Sequence, residues 1–305
     1  MKDGKDRSEF RLGMAESLGC EIMWGLMPMF WRLLAGLSAL FVLSGRLIWT
    51  GIFSVIMCVF IRRTKFTHLF RDPRAIATFL SSGILITINW GLYIWSTNSG
   101  HLLEASLGYY LSPIVTIVMG IFFFKERLSG LQTGAFVLAL VGVGSFIVLE
   151  GGAIWISCVF AITFSAYSAI KKKAGYDATA GLAFESCVNA FIGVILFGLS
   201  AVIPGLWDLT PASAPATFSP EVYFLLIAAA GVLTTVPMLL YSACANHIPL
   251  VLVGFMHYIS PTMTTLFAIF MFHEAFTTGH AICFSLVWIG LVLVGIDAVK
   301  QLRSK

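Results

Sequence analysis

The chain has 305 residues, of which 58% are apolar and only 11% are charged, and its formal net charge is +4. Soluble globular domains carry about 25% charged residues, so this composition excludes an ordinary globular protein and predicts a protein of the lipid bilayer. The net charge gives no indication of nucleic-acid binding, because the basic residues lie mainly in the polar segments between apolar runs.

Ten apolar runs along the chain predict ten membrane-spanning helices. A crossing needs roughly 20 mainly apolar residues, and in lipid a helix satisfies its own backbone hydrogen bonds. The predicted spans cover residues 13–31, 41–61, 76–97, 102–124, 130–149, 153–170, 180–203, 221–244, 249–272 and 277–298. The first is the weakest, because Glu16 and Glu21 interrupt it. We therefore expect an all-α integral membrane fold.

The distribution of Lys and Arg predicts the orientation, because the cytoplasmic loops of membrane proteins are enriched in these residues. They cluster near the N-terminus, in alternate loops and at the C-terminus, and only Arg32 and Arg46 fall elsewhere. This pattern predicts an even number of spans with both termini in the cytoplasm. Residues 1–12 and 300–305 are then expected to be cytoplasmic tails.

Residues 103–126 are repeated in the second half of the chain. Their sequence, LEASLGYYLSPIVTIVMGIFFFKE, aligns without a gap with VLVGFMHYISPTMTTLFAIFMFHE at residues 251–274. Pro113 matches Pro261 in this alignment, and the similarity continues backward along the chain at the same offset. The chain therefore contains two copies of one unit.

The two copies lie five spans apart, which predicts that they cross the membrane in opposite directions. The chain is then expected to consist of two inverted five-helix repeats, at residues 13–149 and 150–299. In transporters built this way, the solute binds near the middle of the membrane, where matched helices are interrupted. Pro113 and Pro261 are the candidates for such helix breaks, although a proline kink can also serve packing alone.

Polar and aromatic side chains near these prolines form the first group of candidate solute-binding residues. They are Asn89, Trp90, Tyr93, Tyr110, Tyr241, His257 and Tyr258. Aromatic rings with a few hydroxyl and amide groups suit an amphipathic organic solute better than a bare ion. Each tyrosine could instead hydrogen-bond between helices or lie at the membrane interface.

Ionisable residues within the spans form the second group, because a charge at the bilayer centre costs roughly 2.5 to 3.5 kcal/mol. Arg46 could bind an anionic group of the solute, pair with Glu104, or extend to the membrane surface. Glu185 and Glu21 could each carry a coupling proton, or they could pair with other side chains in the helix bundle.

The sequence contains no motif of catalysis or nucleotide binding that we can identify. HExxH, GxSxG and Walker motifs are absent, and the six cysteines occur singly in apolar runs. We therefore expect no enzymatic activity, cofactor, metal site or disulfide. Transport would draw on an ion gradient or on the gradient of the solute itself.

Three stretches of the chain resemble the RarD branch of the EamA family, within the drug/metabolite transporter superfamily. They are NWGLYIWSTNSGHLLEASLGYYLSP at residues 89–113, FSAYSAIKKK at residues 164–173 and TTVPMLLYSACANHIPLVLVGFMHYISPT at residues 234–262. The resemblance implies a bacterial inner-membrane permease with two EamA repeats, of a kind traditionally called chloramphenicol-sensitive protein. It also implies functional positions at Trp24, Arg46, Glu104 and Glu185.

At Glu21 and His257 the chain departs from this family, which typically has an uncharged residue and a glutamine there. The predicted function is secondary transport of a small organic metabolite or drug-like solute by alternating access through a central cavity between the repeats. The expected partners are this solute, the lipid bilayer and, as a coupling ion, a proton. The alternatives are a membrane-embedded enzyme acting on a lipid-type substrate and a membrane assembly subunit that does not transport.

Overall fold

The computed structural model describes residues 2–98, 102–151, 154–272 and 277–304, which are helical apart from short connections and contain no β-strand. The helices are α1 (Lys2–Leu33), α2 (Ala39–Ile56), α3 (Pro73–Asn98), α4 (Leu102–Phe124), α5 (Gly130–Glu150), α6 (Ile154–Ala174), α7 (Ala178–Val202), α8 (Pro220–His247), α9 (Leu250–Met256), α10 (Ile259–Phe272) and α11 (Thr278–Ser304). A π-helical segment, Met57–Ile61, extends α2. Two short 3₁₀ turns, Thr67–Arg71 and Leu206–Leu209, lie in connections.

Nine helical segments in the described part of the chain are long and apolar enough to cross a membrane. One of them, Leu250–Met271, combines α9 and α10. The remaining helix, α1, has 32 residues but is not among the nine. Glu16 and Glu21 lower the hydropathy of α1, because a carboxylate is much more polar than the apolar side chains around it. The predicted all-α membrane fold is confirmed, whereas the tenth span stays a prediction.

The helices form two compact units, and each unit draws on both halves of the chain. The first unit comprises Met1–Leu26, His101–Ala169 and Cys244–Lys305, and the second comprises Met27–Gly100 and Ile170–Ala243. The predicted repeats, residues 13–149 and 150–299, therefore differ in extent from the compact units. Both α1 and α6 contribute residues to each unit.

Within each unit, helices that lie five spans apart in the chain pack against each other. In the first unit α4 packs against α9 and α5 packs against α11; in the second, α2 packs against α7. Glycines bring α5 and α11 together: a Cβ added at Gly142 would lie 3.2 Å from the Cys283 carbonyl oxygen, and one at Gly290 would lie 3.2 Å from that of Ala135. Small residues at such contacts are typical of helices packed in membranes.

Two helices are capped at their N-termini by side chains from distant connections. The two carboxylate oxygens of Glu126 accept hydrogen bonds from the backbone N–H groups of Leu250 and Val251 at the start of α9, both at 2.8 Å. The Thr210 hydroxyl accepts one from the N–H of Leu40 in α2 at 2.9 Å. Both satisfy amides that have no partner within the helix, and the charge of Glu126 also matches the positive end of the helix dipole.

Asp72 fixes the start of α3 and joins it to the connection before α7. Its Oδ1 accepts a hydrogen bond from the N–H of Arg74 at 2.9 Å, and its Oδ2 accepts one from the Tyr176 hydroxyl at 2.7 Å. The bond from Tyr176 is the largest cause that lowers the pKa of Asp72, and it raises the pKa of Tyr176. It does so because it stabilises the ionised carboxylate and the protonated phenol.

Candidate functional site

The predicted site residues fall into two groups, one in each compact unit. Those in the first unit are Glu21, Trp24, Glu104, Tyr110, Pro113, His257, Tyr258 and Pro261. Those in the second unit are Arg46, Asn89, Trp90, Tyr93, Glu185 and Tyr241. The side chain of Glu104 lies outside the described residues, so its predicted pairing with Arg46 stays a prediction.

Arg46 lies between two tryptophan rings in the second unit. The guanidinium carbon is 3.8 Å from the centre of the Trp90 ring and 4.9 Å from that of Trp31. Its Nε donates a hydrogen bond to the Thr234 hydroxyl at 2.9 Å. Cation–π contacts stabilise the charge in surroundings poor in water, and the hydrogen bond fixes the plane of the guanidinium. Sequence reasoning missed Trp31 and Thr234, because neither stands out from its neighbours.

The predicted aromatic and amide residues of the second unit lie on α3 and α8. Asn89 and Tyr241 are buried, whereas Trp90 and Tyr93 are half-buried. Asn89 and Tyr93 are four residues apart on α3, so they share one face of the helix. This face carries an amide and a phenol side by side, as an organic solute with both apolar and polar parts requires.

Glu185 of α7 belongs to a buried ion pair. Its Oε2 lies 3.1 Å from Nζ of Lys171 and accepts a hydrogen bond from the Ser82 hydroxyl at 2.6 Å. The side chains of Lys171 and Glu185 are 4% and 0% exposed. Lys171, the first of three consecutive lysines, lies in the last turn of α6 and is buried. The stability of this pair requires both partners, because removing one would leave the other as an uncompensated buried charge.

A break in the ninth predicted span places His257 and Tyr258 between two helices. α9 ends at Met256 and α10 begins at Ile259. Pro261 explains the position of the break: it has no N–H to donate to the carbonyl of His257, four residues earlier, and its ring clashes with that carbonyl. The chain tightens at this point, where the N–H of Tyr258 bonds to the carbonyl of Phe255 at 3.2 Å.

Pro113, by contrast, lies inside α4, which runs through it without a break. The carbonyl of the preceding residue, Ser112, accepts a hydrogen bond from the Ser165 hydroxyl of α6 at 3.1 Å. We expected matched helix breaks in both copies of the repeat, but the helix is interrupted only in the second copy.

His257 forms a buried pair with Glu21 of α1, in which Nδ1 of the imidazole is hydrogen-bonded to Oε1 of the carboxylate. The side chains are 5% and 2% exposed. Two rings surround the imidazole: the Phe164 ring lies 5.0 Å from it and the Trp24 ring 6.1 Å, between ring centres. The structure thus joins Glu21, Trp24 and His257, three predicted site residues from opposite ends of the chain.

Tyr110 and Tyr258 lie in the same buried cluster of the first unit but differ in their hydrogen bonding. The Tyr110 hydroxyl lies 2.8 Å from the hydroxyl of Thr265 and 3.4 Å from the carbonyl oxygen of Pro261. The Tyr258 hydroxyl has no hydrogen-bond partner among the described residues. A buried hydroxyl without a partner is costly in an apolar environment, so the hydroxyls of Tyr110 and Tyr258 should contribute differently to stability.

Similarity to known proteins extends over nearly the whole chain. Residues 12–148 match the EamA-like transporter family. The chain is 36% identical over 304 residues to a Bacillus subtilis protein named uncharacterized transporter YojE, covering 97% of this chain and 98% of that protein. It is 35% identical over 302 residues to Protein RarD of Streptomyces exfoliatus, covering 98% and 93%. A solved crystal structure with 17% identity covers 95% of this chain and 98% of its own with a TM-score of 0.68, which shows a shared fold.

Proposed function

We propose, from the premise that this chain belongs to the EamA-like transporter family and to its RarD branch, that it moves a small organic solute across a bacterial inner membrane as a secondary transporter. Membership in this family makes the chain a membrane transporter rather than an enzyme. The substrate class and the mechanism are the parts that we propose.

The surroundings of Arg46 are the observation that supports an organic solute. A guanidinium held between Trp31 and Trp90 combines a fixed positive charge with two apolar ring surfaces. A bare inorganic anion would use only the charge, whereas an amphipathic organic molecule with a carboxylate or similar group would use both. We infer that the solute carries such a group and that it binds at Arg46.

The mechanism that fits this site is alternating access by two inverted repeats. In this mechanism the repeats at residues 13–149 and 150–299 rearrange so that one binding site opens first to one side of the membrane and then to the other. We propose that both termini are cytoplasmic, as the distribution of Lys and Arg predicts. The energy then comes from the gradient of the solute or of a coupling ion.

Solute exchange in proteoliposomes tests this proposal. The purified full chain is reconstituted and assayed for exchange of a radiolabelled panel of carboxylates, amino acids and chloramphenicol, the last because the family's traditional name refers to it. We expect the wild type to exchange at least one carboxylate-bearing solute. Arg46→Ala should abolish this exchange, and Arg46→Lys should lower it about tenfold, because an ammonium cannot stack between rings as a planar guanidinium does.

Arg62→Ala is the matched control. Arg62 is exposed in a connection, so this variant should exchange solute at the wild-type rate. If no panel member is exchanged by the wild type, transport of such solutes is refuted. If Arg46→Ala folds and exchanges solute like the wild type, transport stands but the site assignment is wrong.

A further inference from the structure

Two pairs of histidine and glutamate connect α1 with the second half of the chain. Near the middle of α1, Glu16 Oε2 lies 2.7 Å from Nδ1 of His247, the last residue of α8. Five residues further along α1, Glu21 binds Nδ1 of His257. The two carboxylates are therefore separated by a rise of about 7.5 Å along the helix axis.

Glycines hold α1 against this part of the chain. A Cβ added at Gly13 would lie 2.7 Å from the Cβ of His247, and one added at Gly25 would lie 2.7 Å from that of Met263. Since Gly13 precedes Gly25 as His247 precedes Met263, α1 runs parallel to the segment from α9 to α10. The two pairs are thus successive contacts along one seam, both within the first unit.

The two pairs differ in their access to solvent. The side chains of His247 and Glu16 are 28% and 14% exposed. Those of His257 and Glu21 are 5% and 2% exposed. The partly exposed pair and the buried pair thus lie on the same seam, one after the other along α1.

The chemistry of the buried pair suits reversible protonation. With one proton shared between them, His257 and Glu21 have no net charge; without it the pair carries one negative charge, and with a second proton one positive charge. Imidazole is a side chain that proteins commonly use to take up and release protons, and a carboxylate beside it stabilises the protonated ring.

Glu185, the other candidate proton carrier, belongs to a buried ion pair in the second unit. It pairs with the ammonium of Lys171 and accepts a hydrogen bond from Ser82. Neither residue belongs to the seam of α1 in the first unit, and we assign this pair a structural role.

We propose that Glu21 and His257 form the binding site for a coupling proton, and that Glu16 and His247 pass protons between this site and the solvent. The inference rests on the proposed function of a secondary transporter, and it adds the ion that drives it. The carried species is one proton, released by His257 when the pair becomes anionic and regained when it becomes neutral.

Several elements that surround His257 carry titratable side chains. α1 contributes Glu16, Cys20 and Glu21. α11, which packs against α9, contributes Cys283 and also Asp297, which accepts hydrogen bonds from Ser129 and Gln132. α6 contributes Tyr167, whose ring lies 6.1 Å from that of Phe164. α4 and the connection after it contribute Tyr110, bonded to Thr265, and Glu126, bonded to the first amides of α9. These last groups already have partners, which leaves Glu21 as the carboxylate that sets the charge of the imidazole.

Nuclear magnetic resonance of the full chain with isotope-labelled histidine tests the pair without any solute. The ring signal of His257 is assigned by its loss in His257→Gln. In the wild type near neutral pH we expect this ring to show the signature of imidazolium hydrogen-bonded to a carboxylate. In Glu21→Gln we expect the signature of the neutral ring, because an imidazolium without its counter-ion is not stable when buried. His68, exposed in a connection, is the internal control and should titrate identically in both proteins.

Accumulation in proteoliposomes tests the coupling. With the membrane potential clamped to zero, a pH gradient of about one unit should support a solute concentration ratio of about tenfold if one proton moves per solute, since one pH unit is a tenfold ratio of proton activity. The probe is the panel member that the wild type exchanges. Glu21→Gln should build no ratio in the gradient, whereas the control Arg62→Ala, changed in an exposed connection, should build the tenfold ratio.

The double variant Lys171→Met with Glu185→Leu distinguishes the two candidate proton carriers. Both charges of the structural pair are replaced together, so the variant should fold and keep the tenfold ratio. The inference is overturned if the His257 signal is the same in the wild type and Glu21→Gln, or if Glu21→Gln still builds the full ratio. A wild type that exchanges no solute while its His257 signal depends on Glu21 would instead refute the proposed function and leave the protonated pair in place.

Discussion

Removing the hydroxyl is the same chemical change at Tyr110 and at Tyr258, but we expect opposite effects on the stability of the fold. They match in the sequence repeat, both are buried in one apolar cluster, and they are 2% and 1% exposed. The Tyr110 hydroxyl is hydrogen-bonded to Thr265, whereas that of Tyr258 has no partner among the described residues. Replacing each by phenylalanine removes one hydroxyl and leaves the ring in place. Tyr110→Phe should therefore destabilise the fold, and Tyr258→Phe should stabilise it.

The magnitudes follow from what each hydroxyl contributes. A satisfied hydrogen bond contributes about 0.5–1.5 kcal/mol net, and losing it leaves Thr265 with one bond fewer, so we expect Tyr110→Phe to lower the free energy of unfolding by about 1–2 kcal/mol. Burying a hydroxyl without a partner costs about 1–3 kcal/mol, so Tyr258→Phe should raise the free energy of unfolding by about 1 kcal/mol or more. The two variants should thus differ by about 2–4 kcal/mol.

Reversible unfolding in mixed micelles, followed by circular dichroism, measures both differences on the full chain. Solute exchange is measured in parallel, because a hydroxyl that donates to the solute should slow exchange when it is removed. The reasoning is refuted if Tyr258→Phe is destabilised as much as Tyr110→Phe. Its hydroxyl would then have a partner in the folded protein. A Tyr258→Phe variant that is more stable and still exchanges solute normally would remove Tyr258 from the solute site.

Three further predictions concern packing, capping and pH. Gly231→Ala should lower the free energy of unfolding by about 1–3 kcal/mol, because its Cβ would lie 2.6 Å from backbone of α2, whereas the control Gly198→Ala meets nothing within 4 Å and should be neutral or stabilising. Glu126→Gln should lower it by about 1 kcal/mol in the same unfolding assay, since a charged cap of α9 becomes a neutral one. Tyr176→Phe should lower the melting temperature at neutral pH. The difference should disappear as the pH falls below about 4, because a lowered pKa of Asp72 stabilises the fold only while that carboxylate is ionised. A difference that persists at pH 2 would contradict this.

Hydropathy located the helices because lipid restricts both their length and their hydrogen bonding. The predicted starts of the fourth and fifth spans, at Leu102 and Gly130, are the first residues of α4 and α5. The prediction was weakest for the first span, where α1 begins well before residue 13. Charged residues lower hydropathy without opposing helix formation, so this helix extends further than the apolar run that indicated it.

The partners of the buried charges could not be predicted from the sequence. Local spacing reports which residues share a helix face, but the Glu21–His257 pair joins residues 236 positions apart. The burial of Lys171 was hidden for another reason. Lys171 stands in a run of three lysines, which is typical of a cytoplasmic loop. The usable signal was indirect: carboxylates in apolar runs require partners, and the sequence identified Glu21 and Glu185 on that ground.

The two copies of the repeat have diverged at the position that matters most for the proposed coupling. In the alignment that matches Pro113 with Pro261, the residue that corresponds to His257 is Tyr109. Tyr109 is 39% exposed, and its ring lies 4.7 Å from that of Phe160, on a helix that continues through the proline. In the second copy the helix is therefore broken and carries a buried imidazole. In the first copy the helix is unbroken and carries a partly exposed phenol. A duplicated chain with one such pair binds one coupling proton in each cycle. A measured ratio of two protons per solute would contradict the assignment of His257 as the carrier, even if transport itself depended on the pH gradient.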